Sequence, residues 1–171
     1  MAVMTPYEVA AAILACAYAG VDHTGDLSIA RRCIVPGEIV WDDCQCGQLA
    51  LSENRRYTSG AFPTEEIDKV PDCGNGFLVV DLTLSLTRCV PVGVNSQPPT
   101  CDQLDASAFQ LMKDKADIRN AVDCCLVAIY DDIPKGLAAF QVGAQETVGP
   151  SGLCVGSETS ILLGFLNPCG C

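Results

Sequence analysis

Residues 77–90 read FLVVDLTLSLTRCV, the clearest strand pattern in the chain. Leucine or valine recurs at every second position from Leu78 to Leu86, and most positions between them are polar. A period of two over nine residues is typical of a β-strand with one apolar and one polar face. Strands of this kind belong to antiparallel sheets, because parallel sheets bury both faces. We therefore predict a sheet that is covered by helices on one face only.

Two capping boxes outside this strand mark the starts of helices. The motifs are TPYE at 5–8 and TCDQ at 100–103, in which a threonine precedes Glu8 or Gln103 by three residues. They predict a short helix over 5–19 and a long helix over 101–131. The long helix has an apolar stripe at spacings of three and four residues, formed by Leu104, Ala108, Leu111, Ile118, Val122, Cys125 and Ile129.

Three further segments read as strands, at 48–57, 137–147 and 153–166, and 21–46 reads as a long connection. The resulting order is helix, strand, strand, helix, strand, strand. We predict an α+β fold: a mainly antiparallel four-stranded sheet with two helices packed on one face. No linker divides the chain, so 1–171 is expected to be a single domain, with 167–171 as a short C-terminal extension.

Composition narrows the function classes. Twenty-one acidic residues against ten basic ones give a net charge of −11, which disfavours binding to DNA or RNA. The chain has one histidine, His23, and contains neither a glycine-rich phosphate loop nor a spaced calcium loop. We therefore expect no enzymatic activity, no catalytic residue, no cofactor and no metal. The apolar run at 9–19 is too short for a membrane span and lacks a preceding basic residue, so we expect synthesis in a cytoplasm without membrane attachment.

Twelve cysteines leave two readings open, disulfides or free thiols. The close pairs lack the spacing of structural zinc sites. Cys16 and Cys125 fall on apolar helix faces and are interpreted as packed core thiols. Cys89 and Cys101 flank an eleven-residue loop, and we advance a bridge between them as a hypothesis. The alternative is that all twelve thiols stay reduced.

The long connections supply the candidate contact residues. Trp41 is the only tryptophan and lies beside Asp42 and Asp43, while Phe62 opens a second loop. A large aromatic residue in a loop either anchors the loop to its own domain or forms an interface hot spot, and both readings stay open for Trp41. The two aspartates fit a solvated acidic turn better than a calcium site. Trp41, Asp42, Asp43 and Phe62 are the predicted interface residues.

Several loop motifs carry a resemblance to a known family. They are PGEIVWDDCQCGQL at 36–49, FP at 62–63, RCVP at 88–91, PTC at 99–101 with Leu104 and Asp105, and GPSGLCVGSE at 149–158. Over about residues 30–165 the chain resembles a small neck protein of long-tailed phages of actinobacteria. The final NPCGC at 167–171 has no counterpart in that resemblance.

The resemblance implies a structural protein of the virion, made in the cytoplasm of the host bacterium. The αββαββ order fits the tail terminator of such a neck, a hexameric ring that caps the tail tube and joins it to the head-side stopper or adaptor. DNA would pass through this ring without specific binding. One alternative is the stopper or another neck connector. The stopper is typically a small β-barrel, which fits the αββαββ order less well. Another is a cytoplasmic thiol-dependent binding protein or enzyme.

Overall fold

The alternating segment forms the central strand of a five-stranded mixed sheet. The computed structural model describes residues 4–37, 47–65, 76–93, 97–132, 136–151 and 153–166. The elements are α1 (Pro6–Gly20), β1 (Arg31–Val35), β2 (Gln48–Ser59), β3 (Phe77–Cys89), α2 (Cys101–Asp131), β4 (Leu137–Ser151) and β5 (Cys154–Leu166), with a 3₁₀ turn at Gly25–Leu27. Across the sheet the strand order is β1-β2-β3-β5-β4.

Both helices pack on the same face of this sheet. The side chains of β3 on that face contribute to one core with α1, α2 and the neighbouring strands. Both capping boxes form: Thr5 accepts from the Glu8 backbone N–H, and Thr100 accepts from the Gln103 backbone N–H. The predicted α+β fold and the two predicted helices are therefore confirmed.

The number of strands was wrong, because a fifth strand lies inside the predicted connection. β1 pairs in parallel with β2, with Arg31 opposite Gln48 and Val35 opposite Ser52. The other three strand pairs are antiparallel. β1 has only five residues and no alternating pattern, and its pairing depends on a partner that follows a long loop. A local period could not reveal it.

The cysteine predictions also need correction. Cys16 and Cys125 are not free core thiols but form a disulfide between α1 and α2, with a Cα–Cα distance of 6.3 Å. The predicted bridge between Cys89 and Cys101 is absent, because Cys101 is a free, exposed thiol while Cys89 is disulfide-bonded. The helices approach closely near Gly20, where an added Cβ would lie 2.6 Å from the Cβ of Ala121.

Replacing Leu82 by aspartate tests the one-sided sheet. Leu82 is 2% exposed and faces the helices. A carboxylate there has no partner, so we expect the free energy of unfolding to fall by roughly 3 kcal/mol or more. Ser160→Asp is the control, because Ser160 is exposed on the neighbouring strand β5. A Leu82→Asp protein that melts like the Ser160→Asp protein would contradict the strand assignment.

Replacing both Cys16 and Cys125 by alanine tests the link between the helices. The disulfide closes a chain separation of 109 residues. Loop-closure entropy predicts a loss of roughly 4 kcal/mol in the free energy of unfolding, measured in denaturant under oxidising conditions. Cys124→Ala removes an exposed free thiol of the same helix and should be nearly neutral. Equal stability of the two variants would argue against the bridge.

Candidate interaction surface

A buried arginine organises one end of the sheet. Arg88 is 6% exposed and Asp114 is fully buried. The Nε atom of Arg88 donates to Oδ2 of Asp114 at 2.9 Å, and Nη2 donates to Oδ1 at 3.2 Å. The guanidinium also donates to the backbone carbonyls of Asp22, at 2.7 Å, and of Leu27. Asp114 accepts a further hydrogen bond from Nε2 of Gln110 at 2.9 Å.

This network joins three parts of the chain, namely β3, α2 and the segment that follows α1. A buried charge is unfavourable unless it is paired and its other hydrogen-bonding groups are satisfied. The planar guanidinium meets that need, because one fork binds the carboxylate while the remaining N–H groups reach backbone carbonyls. The position of α2 along the sheet is therefore fixed at Asp114.

The sequence contains a pattern that indicates this ion pair, although the sequence analysis did not predict it. Arg88 follows Leu86 by two residues and so continues the apolar side of β3. Asp114 lies three residues after Leu111 and four before Ile118, on the buried side of α2. A charged residue at an apolar position in two packed elements is the pattern that predicts a buried ion pair.

Described parts of several motif segments meet at this end, which we name the Arg88 end. Its parts are the end of β3, the start of β2, the turn between β4 and β5, and the start of α2. The Val90 backbone N–H donates to the Leu153 carbonyl at 2.8 Å, and Gln48 lies opposite Thr87. The motifs at 88–91 and 149–158 and the start of β2, where the motif at 36–49 ends, are thus neighbours in space.

The first ten residues of α2 project beyond the sheet at the Arg88 end. Leu111 is the first buried residue of the helix, and every residue before it is exposed or only partly buried. Leu104 is 48% exposed, and Ala108 is exposed as well. Both belong to the apolar stripe of the sequence, but neither is part of the core. The stripe continues past the last part of the sheet that could cover it.

Other apolar side chains at this end are also exposed. Phe109 and Met112, on α2, are 69% and 71% exposed. Val92, which follows β3, and Leu153, in the turn between β4 and β5, are exposed as well. Large apolar groups gathered at one end of a domain are typical of a surface that binds another protein.

The predicted interface residues are only partly described. Trp41, Asp42 and Asp43 lie outside the described residues. Phe62 is partly buried and packs edge to face against Phe77, with 6.0 Å between the ring centroids. Its ring also lies over Gly164, where an added Cβ would be 2.8 Å from Cδ2 of Phe62. Phe62 thus packs on its own sheet, and its role in an interface stays a prediction.

The titratable groups with shifted pKa values have structural partners. The pKa of Glu8 lies below its usual value because the Thr5 backbone N–H donates to it, and the pKa of Asp22 is lowered in the same way by Thr24. Burial raises the pKa of Tyr57.

Among the described residues, no group of three or more His, Cys, Asp or Glu side chains is placed to hold a metal ion. None of the described helices has the length and apolar character needed to cross a membrane.

No family model matches the chain, and no curated protein matches it either.

Replacing Arg88 by methionine tests the network. The variant leaves the buried Asp114 carboxylate without its cation, and we expect the free energy of unfolding to fall by about 3–5 kcal/mol. The double variant Arg88→Met with Asp114→Leu should lose less, because it leaves no unpaired charge. Arg55→Met is the control, since more than half of the Arg55 side chain is exposed and solvent screens its ion pairs with Glu65 and Asp81. Urea unfolding measures all three, and an Arg88→Met protein as stable as Arg55→Met would contradict the assignment.

Proposed function

We propose that this protein is a structural component of a phage virion, a tail terminator that forms a ring, caps the tail tube and joins it to the head-side connector. One observation carries the proposal. The described parts of the motifs at 36–49, 88–91 and 149–158 come together at the Arg88 end, where the chain also exposes apolar side chains. A protein that acts alone gains nothing from exposing Phe109 and Met112 beside each other, whereas an assembly protein can bury them against a partner.

The architecture favours a terminator over a stopper. A terminator of such a neck is typically a sheet flanked by helices, and a stopper is typically a small β-barrel. The sheet of this chain is open, with β1 and β4 at its two edges and both helices on one face. The stopper or another neck connector remains the alternative role within the same assembly.

The charge distribution supports passage of DNA without binding. The net charge is −11, and most described basic side chains are already paired with carboxylates. These ion pairs are Arg55 with Glu65 and Asp81, Arg56 with Glu53, Arg88 with Asp114, Lys113 with Asp117, and Arg119 with Asp123. A ring built from such subunits presents an acidic lumen that repels the phosphate backbone.

The proposal assigns no reaction to the protein. The competing hypothesis of a thiol-dependent enzyme needs a thiolate stabilised by neighbouring positive charge. The exposed free thiols on α2, Cys101 and Cys124, instead have Asp102 and Asp123 as sequence neighbours. Their surroundings support surface thiols more than a reactive nucleophile.

Cryo-electron microscopy of the virion neck tests the proposal. Six copies in a ring directly on the tail tube are expected, with the head-side connector above them. Particles made without the protein should contain separate heads and tails, and supplying the wild-type protein in trans should restore joining. Copies that contact the portal-side adaptor but not the tube would assign the stopper role instead. Absence of the protein from the particle would overturn the proposal.

A further inference from the structure

We propose that copies of this chain associate head to tail, with the lateral side of the projecting first turns of α2 on one copy contacting the basic edge strand β1 of the next. This contact would be the interface between neighbouring subunits of the ring. The number of copies in the ring is taken from the proposed function. Two surfaces of opposite charge on opposite edges of the sheet carry the inference.

The first surface, the acidic flank, lies on α2. Its residues are Asp102, Asp105, Phe109 and Met112, at successive spacings of three, four and three. Residues at these spacings share one side of an α-helix. All four are exposed, and no described basic side chain forms an ion pair with either aspartate. Aromatic residues and methionine are enriched in interface cores, so this side combines an apolar centre with acidic groups.

From Leu111 onward, other sides of α2 are covered by α1 and by the core. α1 packs against the side that carries Ala121 and Cys125, as the Cys16–Cys125 disulfide shows. Leu111 and Ile118 face the core. By helical geometry, Met112 and Asp105 then point away from α1, toward the β4 edge of the sheet. Among the described residues, the core side of these first turns is also uncovered at Leu104 and Ala108, and the acidic flank is the uncovered side that faces away from α1.

The second surface, the basic flank, lies on the outermost strand at the other edge. Arg31 and Arg32 of β1 are both exposed. The guanidinium of Arg32 lies 4.5 Å from the ring centroid of Tyr18, which holds it in place. No described carboxylate forms an ion pair with Arg31 or Arg32, whereas each of the four other arginines has such a partner. Successive side chains of a strand point to opposite faces, so Arg32 lies on the helix side of this edge and Arg31 on the other side. In a chain with a net charge of −11, two arginines without a carboxylate partner give this edge a positive charge that suits an acidic partner surface.

The two flanks lie near the same end of the sheet. One row of paired residues crosses it through Arg32, Leu49, Leu86, Ser157 and Thr147. Nζ of Lys115 donates to Oγ1 of Thr147 at 3.2 Å, so α2 reaches this row one turn after Met112. Different patches on opposite edges form a heterologous contact, which repeats around an axis and gives a ring when the rotation between copies closes. A second copy of the chain therefore fits the acidic flank in both charge and placement.

Paired charge reversals test this contact in the full-length protein. Asp102→Lys with Asp105→Lys reverses the acidic flank, and Arg31→Glu with Arg32→Glu reverses the basic flank. Each variant alone should raise the dissociation constant of the assembly at least about tenfold in sedimentation velocity. An equimolar mixture of the two variants should assemble again as alternating subunits, because each altered flank meets its altered complement. Only a head-to-tail ring with an even number of subunits closes in that mixture.

Two controls separate the contact from general effects. Asp131→Lys changes an exposed carboxylate at the other end of α2 and should assemble like the wild type. Phe109→Ser should weaken assembly, whereas Tyr7→Ser removes an equally exposed aromatic ring from α1 and should not. Far-UV circular dichroism should show unchanged secondary structure for every variant, since each altered side chain is exposed.

The outcomes also distinguish this inference from the proposed function. Normal assembly of either charge-reversed variant, no recovery in the mixture, or a monomeric wild type at every concentration would overturn the contact. A ring on the tail tube together with normally assembling variants would refute the contact and leave the terminator role intact. Recovery in the mixture without the protein in the virion neck would support the contact and refute the terminator role.

Discussion

The buried ion pair between Arg88 and Asp114 fixes how α2 and the segment after α1 are placed on the sheet. Both charges are removed from water, so they are tolerated only because the guanidinium and the carboxylate are matched and hydrogen-bonded. Any slide of α2 along the sheet, or rotation about its axis, would separate the two groups. The same guanidinium holds the carbonyls of Asp22 and Leu27, so the chain that leaves α1 is fixed together with α2.

The position of this pair determines which surface the protein presents. Asp114 lies beside the end of β3, and thirteen residues of α2 precede it. At 1.5 Å per residue these turns cover about 20 Å, which carries the start of the helix past the sheet. Leu104 therefore lacks a counterpart within the described residues, and Phe109 and Met112 remain exposed. The buried ion pair thus also determines which residues of α2 are exposed. We interpret these exposed residues as an assembly surface.

Local patterns in the sequence predicted most of the fold. Both capping boxes form, and the period of two in β3 gives the face on which both helices lie. Features that depend on distant partners were missed: β1 pairs across a long loop, and Cys16 meets Cys125 over 109 residues. The exposure of Leu104 could not be predicted either. Helical periodicity shows which residues share a side of the helix, but it does not show whether another part of the chain covers that side. Of the predicted interface residues, only Phe62 lies in the described part of the chain.

Hydroxyl-radical footprinting of assembled and dissociated protein tests most directly whether the Arg88 end is the assembly surface. Met112 is 71% exposed in the single chain and, as a methionine, reports solvent contact with high sensitivity. Our account predicts that oxidation of Met112, Phe109 and Leu104 falls sharply on assembly and recovers on dissociation. Equal oxidation of these three side chains in both states would contradict it.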